Sequence, residues 1–154
     1  MAAVKTPCIG ICSTTSFGDV VCRGCKRYAH EVIHWNGYNQ EEKQAIEARL
    51  DALLVQVVSA KFRIIDASVL EWQMQVQKLR FQQRRDPYVW LFGLLRAGAG
   101  QIQNTLQFGF QRRPEFSRLD LPSLKDDIDH EFFILSQAHY ERYLKRAAIS
   151  YGQT

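Results

Sequence analysis

Four cysteines carry the strongest chemical signal in this chain of 154 residues. Cys8, Cys12, Cys22 and Cys25 follow the spacing C-x3-C-x9-C-x2-C, and no cysteine occurs after Cys25. Thiolates are soft ligands, and four of them suit zinc or an iron–sulfur cluster. In a reducing compartment, thiols clustered this closely point to metal ligation over disulfides. The second pair stands in VCRGC, a tight knuckle in which Gly24 can take a positive φ and turn its N–H toward sulfur. Structural zinc knuckles usually pair two C-x2-C hairpins, whereas the first pair here is C-x3-C. No ferredoxin ligand pattern is matched either, so spacing leaves zinc and a [4Fe–4S] or [2Fe–2S] cluster both open.

A second stretch, HEVIH from His30 to His34, matches H-E-x-x-H. On a helix that pattern sets two imidazoles on one face beside a glutamate, the arrangement of a zinc protease. The match extends through Gly37 toward the longer metzincin signature, but the last ligand position is Gln40, where histidine is needed. Met74 is the only downstream methionine, and no turn signal surrounds it. The residues before the motif are occupied by cysteines, which leaves no room for a substrate-binding sheet. HEVIH therefore reads as coincidence. His30 and His34 are expected on a solvent-facing helix, or beside the metal site with Gly24 and Arg27, where a histidine tunes the centre. No Gly-rich phosphate loop, G-x-S-x-G elbow or catalytic carboxylate pair is present, and no small-molecule substrate is evident.

The elements that position these residues follow from composition and periodicity. Hydrophobic residues make up 46% of the chain and aromatics 12%, enough for a real core. The net charge of +4 permits an acidic or nucleic-acid partner without demanding one. The longest apolar run, Tyr88 to Leu95, is far short of the roughly 20 residues of a membrane span. The N-terminus lacks an apolar export segment, which suggests a cytoplasmic protein. Residues 1–27 are broken by Pro7, Gly10, Gly18 and Gly24, hold few apolar side chains, and need a cross-link such as a metal.

Beyond them, a short helix is expected over 28–35. Asn39 with Glu42 forms a capping box for a longer helix whose stripe is Ile46, Leu50, Leu53, Leu54 and Val57. KFRII, from Lys61, suits a short strand or extended linker. Asp66 caps a helix through Leu70, Met74 and Phe81. Asp86-Pro87 starts another, with Leu91, Leu94, Leu95, Ile102 and Leu106 on one side, weakened by Gly98 and Gly100. The last helix starts near Pro122-Ser123 and ends with Lys145 and Arg146. The fold is thus mainly α: a small four-cysteine metal knuckle at the N-terminus, then a helical bundle-like domain. Residues 1–58 form the cysteine-rich module with two helices, and 59–154 a helical extension packed on it as one unit.

TPC-x3-C, VCRGCKR, E-V-I-H-W and EEK-x-x-I together resemble the small bacterial family called domain of unknown function 1289, the predicted iron–sulfur proteins of the YdhL type. The resemblance covers about residues 6–54 and includes the four cysteines, Gly24, Arg27, Glu31 and Trp35. It implies that Cys8, Cys12, Cys22 and Cys25 are shared ligands and that an iron–sulfur cluster is the cofactor. It places Glu31 and Trp35 on the family's positions, and His30 and His34 on variable ones. It implies no established activity, and residues 60–154 look like an extension carried by longer members.

Two function classes follow. One is a four-cysteine iron–sulfur protein with an electron-transfer, redox-sensing or accessory role. The other is a zinc-stapled adaptor that binds protein or RNA through a basic, aromatic helical surface. KLRFQQRR supplies that surface in Lys78, Arg80, Phe81, Arg84 and Arg85. A solvated helix end is the plainer account of the same run. An enzyme is disfavoured, because four cysteine ligands close a zinc site to substrate. An unidentified protein is the expected partner, with nucleic acid the alternative and no membrane. Trp72, Trp90, Phe92, Phe132 and Phe133 are expected in the core, and His139 as a hydrogen-bonded core histidine.

Overall fold

The protein is described here as a computed structural model covering residues 4–10 and 12–152, with side chains through residue 143. It is mainly α-helical. The described residues form six α-helices and one two-stranded sheet, joined by short 3₁₀ turns. The chain divides into two compact units, residues 1–50 with 132–154, and residues 51–131. No helix among the described residues is long and apolar enough to cross a membrane.

In the first unit, α1 (Ser13–Phe17) is a single turn that sequence periodicity does not announce. It ends where Gly18 takes a left-handed φ of 72°. α2 (Ala29–His34) runs into a 3₁₀ turn at Trp35–Gly37. α3 (Gln40–Lys61) starts at the capping box read from the sequence: Asn39 N–H donates to Glu42 Oε1, and Glu42 N–H to Asn39 Oδ1. Its stripe of Ile46, Leu50, Leu53, Leu54 and Val57 is buried throughout. The C-terminal part of α6 (Leu121–Gly152) returns to this unit, where Tyr140 meets Tyr28 edge-on with ring centroids 5.0 Å apart.

The second unit is built around a sheet that the sequence only half shows. KFRII does hold a strand, β1 (Phe62–Ile64). Its partner β2 (Phe110–Arg112) falls where a loop is expected. The strands are antiparallel, with Phe62 opposite Arg112 and Ile64 opposite Phe110. Phe62 and Phe110 are fully buried and pack edge to face at 5.6 Å. Three residues are too few to show a pattern, so only the partner strand reveals β2.

Between the strands, α4 (Ala67–Val76) is capped by Asp66, which accepts from the Ser68 and Val69 N–H groups. It stops short of the expected Phe81. The chain turns through a left-handed Lys78 (φ 57°), so that Phe81 packs on Trp90 at 5.2 Å and the Trp90 indole donates to Gln82 O. α5 (Pro87–Gly98) begins at Asp86-Pro87 as expected and buries Leu91, Leu94 and Leu95. It ends at Gly98, so Ile102 lies beyond it and Leu106 is exposed on a later 3₁₀ turn. α6 starts at Leu121, with Ser123 N–H donating to Asp120 Oδ1, and continues past Lys145 and Arg146. Trp72 is exposed, as is His139, while Phe133 is half-buried. Trp90, Phe92 and Phe132 are the expected core aromatics.

Gly109 is the tightest point of this unit. Its φ of 78° is left-handed, and its carbonyl accepts from both Ile65 and Asp66 N–H. An added Cβ would collide with the Asp66 carbonyl oxygen and crowd Leu70 N at 3.2 Å. Gly109→Ala is expected to cost about 2 kcal/mol or more. Gly18→Ala, with a similar φ but open space around it, is expected to cost about 1 kcal/mol. Urea midpoints of the two variants check the ranking.

Candidate metal centre

Main-chain hydrogen bonds organise the cysteine segment. Val21 and Tyr28 form an antiparallel bridge. Inside it, Cys22 N–H donates to Arg27 O at 2.9 Å, and Lys26 N–H to Cys22 O at 2.8 Å. This closes residues 22–27 into a knuckle. The left-handed residue expected at Gly24 is Lys26 instead, with φ 66°. Its ammonium reaches back to Arg23 O at 2.6 Å and Gly24 O at 3.1 Å, and lies 5.5 Å from the Phe132 ring centroid. Carbonyl contacts made by its own side chain stabilise a conformation that glycine normally takes. Ser13 fastens α1 to the knuckle by accepting from Arg23 N–H at 2.8 Å.

Every cysteine sulfur meets a polar group from two residues downstream. Gly10 N–H donates to Cys8 Sγ at 3.4 Å. Cys12 Sγ lies 3.1 Å from Thr14 Oγ1. At Cys22 the nearby N–H groups of Cys25, Ser13 and Gly24 favour the charged sulfur. Arg27 Nε donates to Cys25 Sγ at 3.2 Å. Donors at sulfur favour the thiolate. The Thr14 hydroxyl, helped by Thr15, draws the Cys12 pKa down to about 7. At Cys22, burial pushes the thiol up, but the N–H groups of Cys25, Ser13 and Gly24 and the Cys25 thiol outweigh it, leaving the pKa below the ordinary value. At Cys25 burial prevails over Arg27, and the pKa is raised.

Cys22 and Cys25 are buried together, Cys12 is half-buried and Cys8 is exposed. Among the described residues, no three His, Cys, Asp or Glu side chains are gathered closely enough to hold a metal ion. The structure thus brings the C-x2-C pair together and keeps Cys8 and Cys12 out of a common group with it. In donor chemistry the four residues fit a metal: each is a thiol with a protein polar group near its sulfur.

The surroundings of HEVIH are those of a structural motif. Glu31 accepts a bidentate ion pair from Arg49, 2.6 Å at each oxygen, and also accepts from Tyr28 N–H at 2.8 Å. Arg49 in turn lies 4.0 Å from the Tyr28 ring centroid. A carboxylate held this way does not serve as a general base. His30 faces the rings of Tyr28 and Tyr143, and His34 is exposed. Arg27 and Trp35 meet at 4.9 Å from guanidinium carbon to ring centroid.

Cys8 to Cys25, Arg27, Glu31 and Trp35 all fall within residues 6–54, which match one family model. The model is that of DUF1289, a family described as protein of unknown function. No curated protein and no solved structure matches the chain. The matched stretch ends inside α3, so the sheet, α4, α5 and α6 lie outside it. The sequence had indicated the thiols and Arg27. It did not single out Lys26, Ser13 or Thr14. The KR doublet after CRGC was the available signal for Lys26, and nothing local marked the other two.

The basic run lies outside the matched stretch and is smaller than it reads. Arg85 pairs with Asp51, Nε to Oδ2 at 3.0 Å, and Phe81 is taken up by Trp90. Lys78, Arg80 and Arg84 are exposed. Trp72 and Val76 add an apolar ridge on α4, 59% and 50% exposed. An open cleft of about 300 Å³ in the same unit runs between Gln77, Leu79, Leu94 and Phe108, and its lining holds no ionisable side chain.

Proposed function

We propose that Cys8, Cys12, Cys22 and Cys25 hold a metal centre, and that the centre is an iron–sulfur cluster in an electron-transfer, redox-sensing or accessory role. The observation that carries this is the recurring polar group, able to donate, two residues beyond each cysteine: Gly10, Thr14, Gly24 and Arg27. Free structural cysteines behave as small hydrophobes and need no such donors. Thiolate ligands do, because hydrogen bonds to sulfur stabilise the charge and tune the metal. Spacing leaves both metals open, and the resemblance to predicted iron–sulfur proteins favours a cluster over zinc. When bound, a cluster supplies one-electron chemistry, whereas zinc supplies a cross-link. A reducing, cytoplasmic setting would keep the thiols available.

The test is an anaerobic purification of the full chain, read by visible absorbance and by iron, zinc and acid-labile sulfide per chain. Brown protein with iron and sulfide supports the cluster. Colourless protein with one zinc replaces it with a structural staple. A well-folded chain free of both metals overturns the metal centre.

A second role, an adaptor for RNA or protein, draws on the Trp72–Val76 ridge. Lys78, Arg80 and Arg84 follow it, and no acidic residue occurs from 72 to 84. Exposed tryptophan stacks on bases, while Lys and Arg attract phosphates. Single-stranded RNA is expected to quench tryptophan fluorescence at low salt, with loss of the effect at high salt and in Trp72→Ala. No quenching at low salt removes RNA and leaves the ridge as a protein-binding surface.

A further inference from the structure

We propose that Arg27 is the charge-compensating and positioning residue of the metal centre, a buried guanidinium that holds the Cys25 thiolate in place and governs how firmly the metal is retained. This rests on the four-cysteine centre proposed above. Arg27 is only 4% exposed, and a buried charge is costly unless it meets an opposite one. Its side chain lies against the Cys25 sulfur and the Trp35 ring. An indole face offers a guanidinium modest attraction, and a neutral thiol is a weak acceptor. A metal-bound thiolate is different, because it places an anion against the same Nε–H group.

The charges match. Zinc with four thiolates carries a net charge of minus two, and so does an oxidised two- or four-iron cluster with four thiolates. A fixed cation beside such a dianion favours the loaded state over the empty one. Arg27 also grips both cysteines of the pair. Its carbonyl accepts from Cys22 N–H at 2.9 Å, while its side chain holds Cys25 Sγ. Trp35 fixes the guanidinium from the side, and Lys43 lies 5.4 Å from the same ring. Arg23 stands on the same knuckle but is different in kind: its side chain is 69% exposed and pairs with Asp19. It is the natural control.

The experiment compares the full-length wild type with R27Q, R27K and R23Q. Each is loaded identically, and metal transfer to a chromophoric chelator is followed at fixed pH. R27Q is expected to lose metal about 10–100-fold more readily, as changes beside ligands commonly do. R27K keeps the charge without the Nε–H donor and is expected to fall between. R23Q is expected to match the wild type. If the centre is a cluster, R27Q should also shift its midpoint potential downward, because removing a cation disfavours the more negative reduced state. A merely structural role would not give that shift or the partial rescue by lysine.

Retention in R27Q within about twofold of wild type overturns the proposal, as does an equal loss in R23Q. Should R27Q lose its helical circular dichroism, R27K decides alone: faster loss supports the role of the donor, and wild-type retention overturns it. A wild-type chain that takes up neither iron nor zinc sinks the metal centre and Arg27's role with it. A loaded wild type with an unaffected R27Q sinks only the latter.

Discussion

Replacing Cys22 with serine is expected to abolish metal binding, leaving less than about a tenth of the wild-type metal per chain. Cys22 is buried, and the N–H groups of Cys25, Ser13 and Gly24 hold its pKa below the ordinary value despite that burial. A serine hydroxyl is a harder donor with a shorter bond and does not ionise near neutral pH, so it does not reproduce a soft thiolate. The damage should spread through residues 8–25. Phe17, Val20 and Ile9 are exposed there, whereas Val21, Cys22 and Cys25 are buried, so among the described residues of the segment apolar burial centres on the knuckle. Where a metal supplies the cross-link, its binding free energy is folding free energy. The variant is therefore expected to show faster protease cleavage in this segment while the helical signal of residues 51–131 persists. Unchanged metal content in Cys22→Ser would remove that residue from the ligand set.

Removing the Glu31 carboxylate should unfold the protein more readily without touching any chemistry. Glu31→Ala is expected to cost about 3–5 kcal/mol, because it leaves the Arg49 guanidinium without its anion in a largely buried position. Burial disfavours the charged arginine, and the hydrogen bonds and charge of Glu31 more than reverse that. The same change removes the acceptor for Tyr28 N–H at the start of α2. At about 2–4 °C per kcal/mol, the midpoint should fall by roughly 6–20 °C. Glu31→Leu combined with Arg49→Met should recover much of it, since paired apolar replacements avoid the stranded charge. Thermal denaturation followed by circular dichroism measures this. A protease of the H-E-x-x-H kind makes the opposite prediction: lost hydrolysis with a nearly unchanged midpoint. A Glu31→Ala midpoint equal to wild type would show that Arg49 finds another partner.

The local features of this chain could be read from its residues because the interactions that make them are local. The Asn39–Glu42 capping box, the Asp66 cap and the Asp86-Pro87 start each join groups within three residues. The α3 stripe repeats at helical spacing and is buried as spacing requires. The four thiols and their knuckle declared themselves by residue type and distance along the chain. The missing ligand of HEVIH was also legible, since the third ligand position holds Gln40.

Tertiary structure decided whatever depended on partners distant in sequence. β2 exists because Phe110–Arg112 pairs with Phe62–Ile64, and three residues alone carry no strand signal. Trp72 looked like core by residue type, yet α4 buries Leu70 and Met74 and leaves the indole outside. Phe81 and Arg85 looked like one basic, aromatic face until Trp90 and Asp51 engaged them. The role of Glu31 needed Arg49, eighteen residues on and on another helix. The position of Arg27 at the Cys25 sulfur and the Trp35 ring required both the knuckle turn and the close of α2. Sequence thus determined which groups are available and which short segments become helical. The folded chain determined which of those groups meet, because burial and charge pairing depend on neighbours that spacing along the chain does not specify.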